Sequence, residues 1–172
     1  MSAALELVSE RLLAHPFVRS AARPKLIVRL MANRYEPGMH YSNHVDEPII
    51  DGERTDLSFT LALTDPAEYD GGDLVIEADD QTQRFRLNRG ALLLYPSHTL
   101  HRVETVTRGV RLAVVGWICS WIADPAQREV LVDLDRVVEA LQAALSDAPA
   151  ADRSALDRAQ RARARLVRMW AS

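Results

Sequence analysis

The sequence predicts a mainly β protein with helices at both ends, and two observations carry that prediction. All seven glycines lie between Gly38 and Gly116. Glycine marks turns, so the stretches outside that window are helix-friendly. Inside the window, short runs of β-branched and apolar residues alternate with turn signals, the spacing of a β-sandwich or barrel.

Taken in order, Ala4–Ala14 sets Leu5, Val8 and Leu12 on one face and Glu6, Glu10 and Arg11 elsewhere. That pattern predicts an amphipathic helix over about 4–14, stopped near Pro16. Lys25–Met31 reads as a short strand. Further strands are expected at Asp56–Leu63, Asp73–Ala78, Thr82–Leu87, Ala91–Tyr95, His101–Val103 and Val110–Ile118. Thr64-Asp65-Pro66, Asp70-Gly71-Gly72, Asn88-Arg89-Gly90 and Arg108-Gly109 punctuate them. Asp124-Pro125-Ala126-Gln127 then opens a helix, with Asp at the N-cap, Pro at the first helical position and Gln completing a capping box. Val130, Leu131, Leu134, Val137, Val138, Leu141 and Leu145 follow at helical spacing. After an alanine-rich linker at 143–151, a last helix is expected over Asp152–Trp170, with Leu156, Ala159, Leu166, Val167 and Trp170 near one stripe. Its six arginines read as a solvated face, partly offset by Asp152 and Asp157.

Composition narrows the function. At 172 residues the chain is expected to be one domain, 1–172. Lys plus Arg is 21 and Asp plus Glu is 24, a net charge of −3 that argues against nucleic-acid binding. The single cysteine, Cys119, excludes an internal disulfide, suits a reducing cytosol and reads as a small buried hydrophobe. No apolar run approaches the roughly 18 residues of a membrane span, and Glu6 and Glu10 sit where a signal peptide is uncharged. A cytoplasmic protein without a membrane partner is expected. The terminal helices offer an apolar face on which a homodimer could form.

Three residues carry the chemistry. In an extended segment, residues two apart point the same way, so His44 and Asp46 can present an imidazole and a carboxylate to one ion while Val45 turns away. His101 would complete two histidines and one carboxylate on one side of the metal, the set that suits Fe(II) with open positions opposite. Taken alone, this spacing is a weak signal, more simply read as a turn histidine and an Asp cap. Arg111 adds weight. Period two in Val110–Trp117 places Arg111, Ala113, Val115 and Trp117 on one side. An arginine aimed at an apolar interior needs an anion, and its planar fork suits a carboxylate. A dicarboxylate bridging metal and arginine accounts for both features.

At this point Tyr35-Glu36-Pro37-Gly38-Met39-His40-Tyr41-Ser42-Asn43-His44-Val45-Asp46 resembles the Y-x-x-G-x-x-Y-x-x-H-x-D segment of the Fe(II)/2-oxoglutarate prolyl-hydroxylase superfamily. Asn33-Arg34-Tyr35, Arg54–Ser58, Tyr69–Glu77, Leu94–Ser97, Leu100–Val103, Thr107–Arg111, Leu131–Asp135 and Arg168-Met169-Trp170 are similar to bacterial PKHD-type hydroxylases. The resemblance implies a double-stranded β-helix (jelly-roll) core with flanking helices. It implies Fe(II) and 2-oxoglutarate as cofactors, with ascorbate as an auxiliary reductant, and hydroxylation of an unactivated C–H bond with release of succinate and CO₂. His44, Asp46 and His101 would be the iron ligands, and Arg111 would hold the distal carboxylate of 2-oxoglutarate. Tyr35 and Thr60 would lie beside the cosubstrate, and Trp117 would line the substrate pocket. His40 is a pocket candidate matched by a turn or second-sphere role, and His98, where similar sequences carry a small polar residue, is a candidate to shape the pocket mouth. From the resemblance, longer relatives are expected to carry a further N-terminal segment before the first helix of this sequence.

Arg54 and Asp56 are expected to form a structural ion pair, and Asp73 to be a turn residue. A hydrolase triad of Ser97, His98 and Asp46 lacks the G-x-S-x-G elbow. The substrate is expected to be a free amino acid, a peptide or another metabolite. Two other functions stay open: a non-catalytic jelly-roll that binds metal, and an O₂-dependent metalloenzyme that does not use 2-oxoglutarate.

Overall fold

The structure is a computed structural model that describes residues 3–78, 81–146 and 153–172. Its helices are α1 (Ala3–Ala14), α2 (Pro16–Ala21), α3 (Pro125–Ala144) and α4 (Ser154–Trp170). The strands are β1 (Pro24–Tyr35), β2 (Tyr41–His44), β3 (Ile49–Ile50), β4 (Glu53–Arg54), β5 (Leu57–Ala62), β6 (Tyr69–Gly71), β7 (Leu74–Ala78), β8 (Gln81–Phe85), β9 (Leu92–Pro96), β10 (Leu100–Val103), β11 (Val106–Gly109) and β12 (Arg111–Ser120). The described residues form two compact units, one drawn from residues up to 10 and from 26 to 119, the other from 11–25 and from 120 onward.

The first unit is a double-stranded β-helix. Its larger sheet has the order β1-β12-β5-β9 and its smaller sheet the order β2-β10-β7-β8. Within the two sheets, β12 with β5, β5 with β9, β10 with β2, β10 with β7 and β7 with β8 pair antiparallel. In the larger sheet Trp117 stands opposite Ser58 and Ser58 opposite Tyr95; Val115 stands opposite Thr60 and Thr60 opposite Leu93. Because strand side chains alternate, these rows share one face. In the smaller sheet His101 is paired with both His44 and Ile76, and Val103 with Leu74. The inward residues Leu74, Ile76 and Val103 pack with Tyr95 into a buried cluster joined by Tyr35, Phe85 and Leu93. On the other face, Arg102 pairs with Glu77 and also donates to Asn43, 3.2 Å away. Two short ribbons, β3–β4 and β6–β11, complete the unit. The first turns at Asp51-Gly52, both at positive φ, as a two-residue hairpin of twisted strands requires.

The strand expectations hold with shifts of one or two residues, apart from the first. β1 runs on through Asn33-Arg34-Tyr35, where polar residues hid its continuation. β2, β3, β4, β6 and β11 are additional, because each is short and polar or embedded in a glycine turn. The first helix stops at Ala14, as expected, and Pro16 opens a second short helix, α2, where its fixed φ and missing N–H suit the first helical position. Arg54 and Asp56 pair at 3.3 Å, and Cys119 is buried. Asp73 accepts from Arg86 at 2.6 Å, more than a turn role.

In the second unit, Asp124 caps α3 as expected, accepting from the N–H of Gln127 at 3.0 Å. The buried face of α3 differs from the apolar pattern. It comprises Arg128, Leu131, Asp135 and Val138, while Val130 and Val137 are exposed. The charges are tolerated inside because they are satisfied. Arg128 donates to the carbonyls of Ile122 and Ala123. Asp135 accepts from Ser20 at 2.8 Å, Arg23 at 2.6 Å and Arg163 at 3.2 Å. The arginines of α4 are therefore not uniformly solvated, since Arg163 is tied to this carboxylate. Asp152 and most of the expected 143–151 linker lie outside the described residues.

Candidate metal centre

Pairing of β2 with β10 places His44 and His101 side by side, their ring centroids 4.2 Å apart. Asp46 follows directly after β2, and its backbone N–H donates to the carbonyl of Ser97 at 3.3 Å. Each histidine is held by the carbonyl two residues before it: His44 Nδ1 lies 2.9 Å from Ser42 O, and His101 Nδ1 lies 2.9 Å from Thr99 O. A carbonyl only accepts, so Nδ1 carries the proton in both rings and Nε2 is left with its lone pair. The two Nε2 atoms face the Asp46 carboxylate, His44 at 3.6 Å from Oδ1 and His101 at 3.8 Å from Oδ2.

These residues fit a divalent ion. Their ligand atoms all lie within 4.8 Å of one another. His44 Nε2 and Asp46 Oδ1, 3.6 Å apart, fall inside the roughly 4.2 Å that two metal bonds of about 2.1 Å can span. Burial pushes the His101 imidazole below its usual pKa, outweighing the Thr99 carbonyl and the Asp46 charge. The ring is thereby kept in the neutral form that ligates metal. Two imidazoles and one carboxylate are the donor set of the facial triad.

The triad opens into a cavity of about 360 Å³. Arg111, at the start of β12, lines the same cavity and is only 6% exposed. Its guanidinium stacks over the Tyr35 ring at 5.4 Å. Among the described residues, none of the ion pairs involves Arg111. Room for its stem comes from Gly72, at φ +66°, where a Cβ would stand 3.0 Å from Arg111 Cδ and 2.9 Å from Val106 Cγ2. Tyr35, Thr60 and Trp117 also line the cavity. Burial raises the Tyr35 phenol above its usual pKa against the pull of Arg111, so it stands as a neutral donor. The Trp117 Nε1 is buried with no partner among the described residues. His40 and His98 are exposed and are not among the lining residues.

Four further residues belong to the site. Ser58 Oγ lies 2.5 Å from Asp46 Oδ2 and 2.8 Å from Ser97 Oγ. Tyr95 packs edge-on against His101 at 5.0 Å, and Tyr41 edge-on against His44 at 4.3 Å. Ser58 was within reach of the sequence, since it precedes Thr60 by two residues and shares its face. Ser97 and Tyr95 needed the strand register.

The sequence profile of the 2OG-Fe(II) oxygenase superfamily matches residues 30–119, the stretch that holds the triad and Arg111. The chain belongs to that superfamily. A PKHD-type hydroxylase of Picosynechococcus sp. is 46% identical over 130 residues, covering 76% of this chain and 59% of the relative. A PKHD-type hydroxylase of Acaryochloris marina is 42% identical over 166 residues, covering 96% of this chain and 74% of the relative. Against these two relatives the chain spans between about three-fifths and three-quarters of their length. In fold, it is similar to a 2OG-Fe(II) oxygenase family oxidoreductase from Burkholderia pseudomallei, with a TM-score of 0.50, 19% identity, and coverage of 63% of this chain and 54% of that one. Fe(II) and 2-oxoglutarate are the cofactors that the 2OG-Fe(II) oxygenase family implies, and His44, Asp46, His101 and Arg111 line one cavity. Among the described residues, no helix is long and apolar enough to cross a membrane.

Proposed function

We propose that this chain is a hydroxylase that uses Fe(II), 2-oxoglutarate and O₂ to convert a substrate C–H bond to C–OH, releasing succinate and CO₂. One oxygen atom of O₂ enters the product and the other enters succinate, so the step balances without a further reductant. In this reading His44, Asp46 and His101 hold the iron, and residues 1–172 act as one oxygenase domain. The metal, when bound, supplies the redox chemistry that couples decarboxylation of the cosubstrate to oxidation of the substrate.

The observation that carries this reading is Arg111: a buried guanidinium without a carboxylate partner among the described residues, opening into the cavity that holds the triad. Leaving such a charge unpaired is costly, and a dicarboxylate reaching from the ion to Arg111 removes that cost. The fork of Arg111 binds the distal carboxylate, Tyr35 walls that end of the cosubstrate, and Thr60 lines the floor. Trp117, further along the same face of β12, borders the substrate side. PKHD-type relatives are named as hydroxylases. The substrate class we infer is an amino acid, a peptide or a related metabolite.

Succinate formation tests the proposal. Protein supplied with Fe(II), 2-oxoglutarate, O₂ and a panel of amino acids and peptides should form succinate in step with hydroxylated product. Arg111→Ala should abolish both. Product formed without 2-oxoglutarate would instead favour an oxygenase of another kind.

A further inference from the structure

We propose that Ser58 is a positioning residue that restricts Asp46 to ligating the metal through one oxygen, an inference that rests on reading His44, Asp46 and His101 as the iron ligands. Ser58 and Ser97 are both almost wholly buried, 2% and 3% exposed. Each hydroxyl has one proton, and an ionised carboxylate only accepts. The direction of the chain is therefore fixed: Ser97 donates to Ser58 Oγ at 2.8 Å, and Ser58 donates to Asp46 Oδ2 at 2.5 Å. Donation from Ser97 polarises the Ser58 hydroxyl and strengthens its bond to the carboxylate. Ser97 acts twice, because its carbonyl also accepts the backbone N–H of Asp46 at 3.3 Å. The main chain and one oxygen of Asp46 are thus both committed to protein groups. Among the described residues, Oδ1 accepts no such bond.

The consequence is a matter of coordination number. A carboxylate can grip a divalent ion through one oxygen or through both. Three one-atom protein ligands leave half of an octahedral ion's positions open, enough for a cosubstrate chelating through two oxygens and for O₂. If Asp46 took the ion with both oxygens, one of those positions would be lost. Ser58 disfavours this, because its hydrogen bond at 2.5 Å competes with a metal bond for the lone pairs of Oδ2, and the cross-strand pairing of Ser58 with Trp117 and Tyr95 fixes where its hydroxyl stands.

Two measurements on the full chain test the assignment: Mn(II) affinity by calorimetry, and anaerobic titration of the Fe(II)-loaded protein with 2-oxoglutarate, followed by the visible charge-transfer absorption of the chelated keto acid. Ser58→Ala is expected to bind Mn(II) at least as tightly as the wild type. It should take up 2-oxoglutarate at least about tenfold more weakly, the scale of one charge-assisted hydrogen bond. Ser58→Thr, which restores a hydroxyl, should recover both values. Unchanged 2-oxoglutarate affinity and absorption in Ser58→Ala would overturn the assignment, as would equal weakening of Mn(II) and 2-oxoglutarate, the mark of a site merely damaged. Should Ser58→Ala not fold, Ser97→Ala decides by the same readouts: selective weakening of 2-oxoglutarate supports the chain of hydroxyls, and wild-type binding overturns it. A wild type that takes no Mn(II) would instead bring down the iron-site reading, an outcome separable from all the others.

Discussion

His44 and His101 face one another across two paired strands, and each is turned by the backbone carbonyl two residues before it in its own chain segment. The aim of both Nε2 atoms is therefore set by main-chain geometry rather than by neighbouring side chains. The histidine half of the metal centre is built before any ion arrives.

Such a site should stabilise the fold when it is loaded. Mn(II) at about 100 times its dissociation constant is worth about 2.7 kcal/mol, or about 5–10 °C in Tm for a chain of this size. His101→Ala should abolish that shift, whatever its own Tm without metal. Thermal unfolding with and without Mn(II) measures it, and a His101→Ala protein that still gains the full shift would refute the ligand assignment.

Arg111 should separate stability from binding. Its buried charge has no ion pair among the described residues, so Arg111→Met replaces an uncompensated guanidinium with an apolar side chain of similar length. Such exchanges are often neutral or stabilising. The expected Tm without cosubstrate is equal to or above that of the wild type, while stabilisation by 2-oxoglutarate disappears. A large loss of stability in the cosubstrate-free protein would show that Arg111 has a structural partner.

Gly72 supports Arg111 from below. Gly72→Ala places a Cβ 2.9 Å from Val106 Cγ2 and 3.0 Å from Arg111 Cδ, at a φ of +66°. The backbone conformation alone costs about 1–3 kcal/mol for a non-glycine residue. A lower urea midpoint should appear together with a raised KM for 2-oxoglutarate, because the displaced stem carries the guanidinium with it. A lower midpoint at unchanged KM would confine the role of Gly72 to the turn.

In the helical unit, Asp135 joins Ser20, Arg23 and Arg163. Asp135→Asn keeps the shape but leaves the largely buried Arg23 without a counter-charge, a loss of about 3 kcal/mol for a buried pair broken on one side. Chemical denaturation would register it. A loss under about 1 kcal/mol would mean that the pair is screened like a surface ion pair.

Much of this was legible in the sequence because it follows from local periodicity. Alternation in Val110–Trp117 placed Arg111 and Trp117 on one face, and the Asp124-Pro125 start of α3 could be read directly. β2 escaped detection because Tyr41-Ser42-Asn43-His44 has no apolar alternation, its inward side chain being the imidazole of His44 rather than a core residue. The buried Arg128 and Asp135 escaped for a related reason. Charged residues read as solvent-facing unless their partners are known, and those of Asp135 come from residues distant in the chain. The hydroxyl chain from Ser97 to Asp46 spans three segments that only the sheet register brings together.

Asp46 has one last property. The histidines take their aim from the smaller sheet, whereas Ser58 and the Ser97 segment belong to the larger sheet and the turn that follows it. The carboxylate is thus a strut between the two halves of the sandwich, and the gap between them is gauged at the ion. Loosening the packing of Leu74 against Tyr95, whose ring leans on His101, would be felt at the metal as a change in reach before it was felt as unfolding.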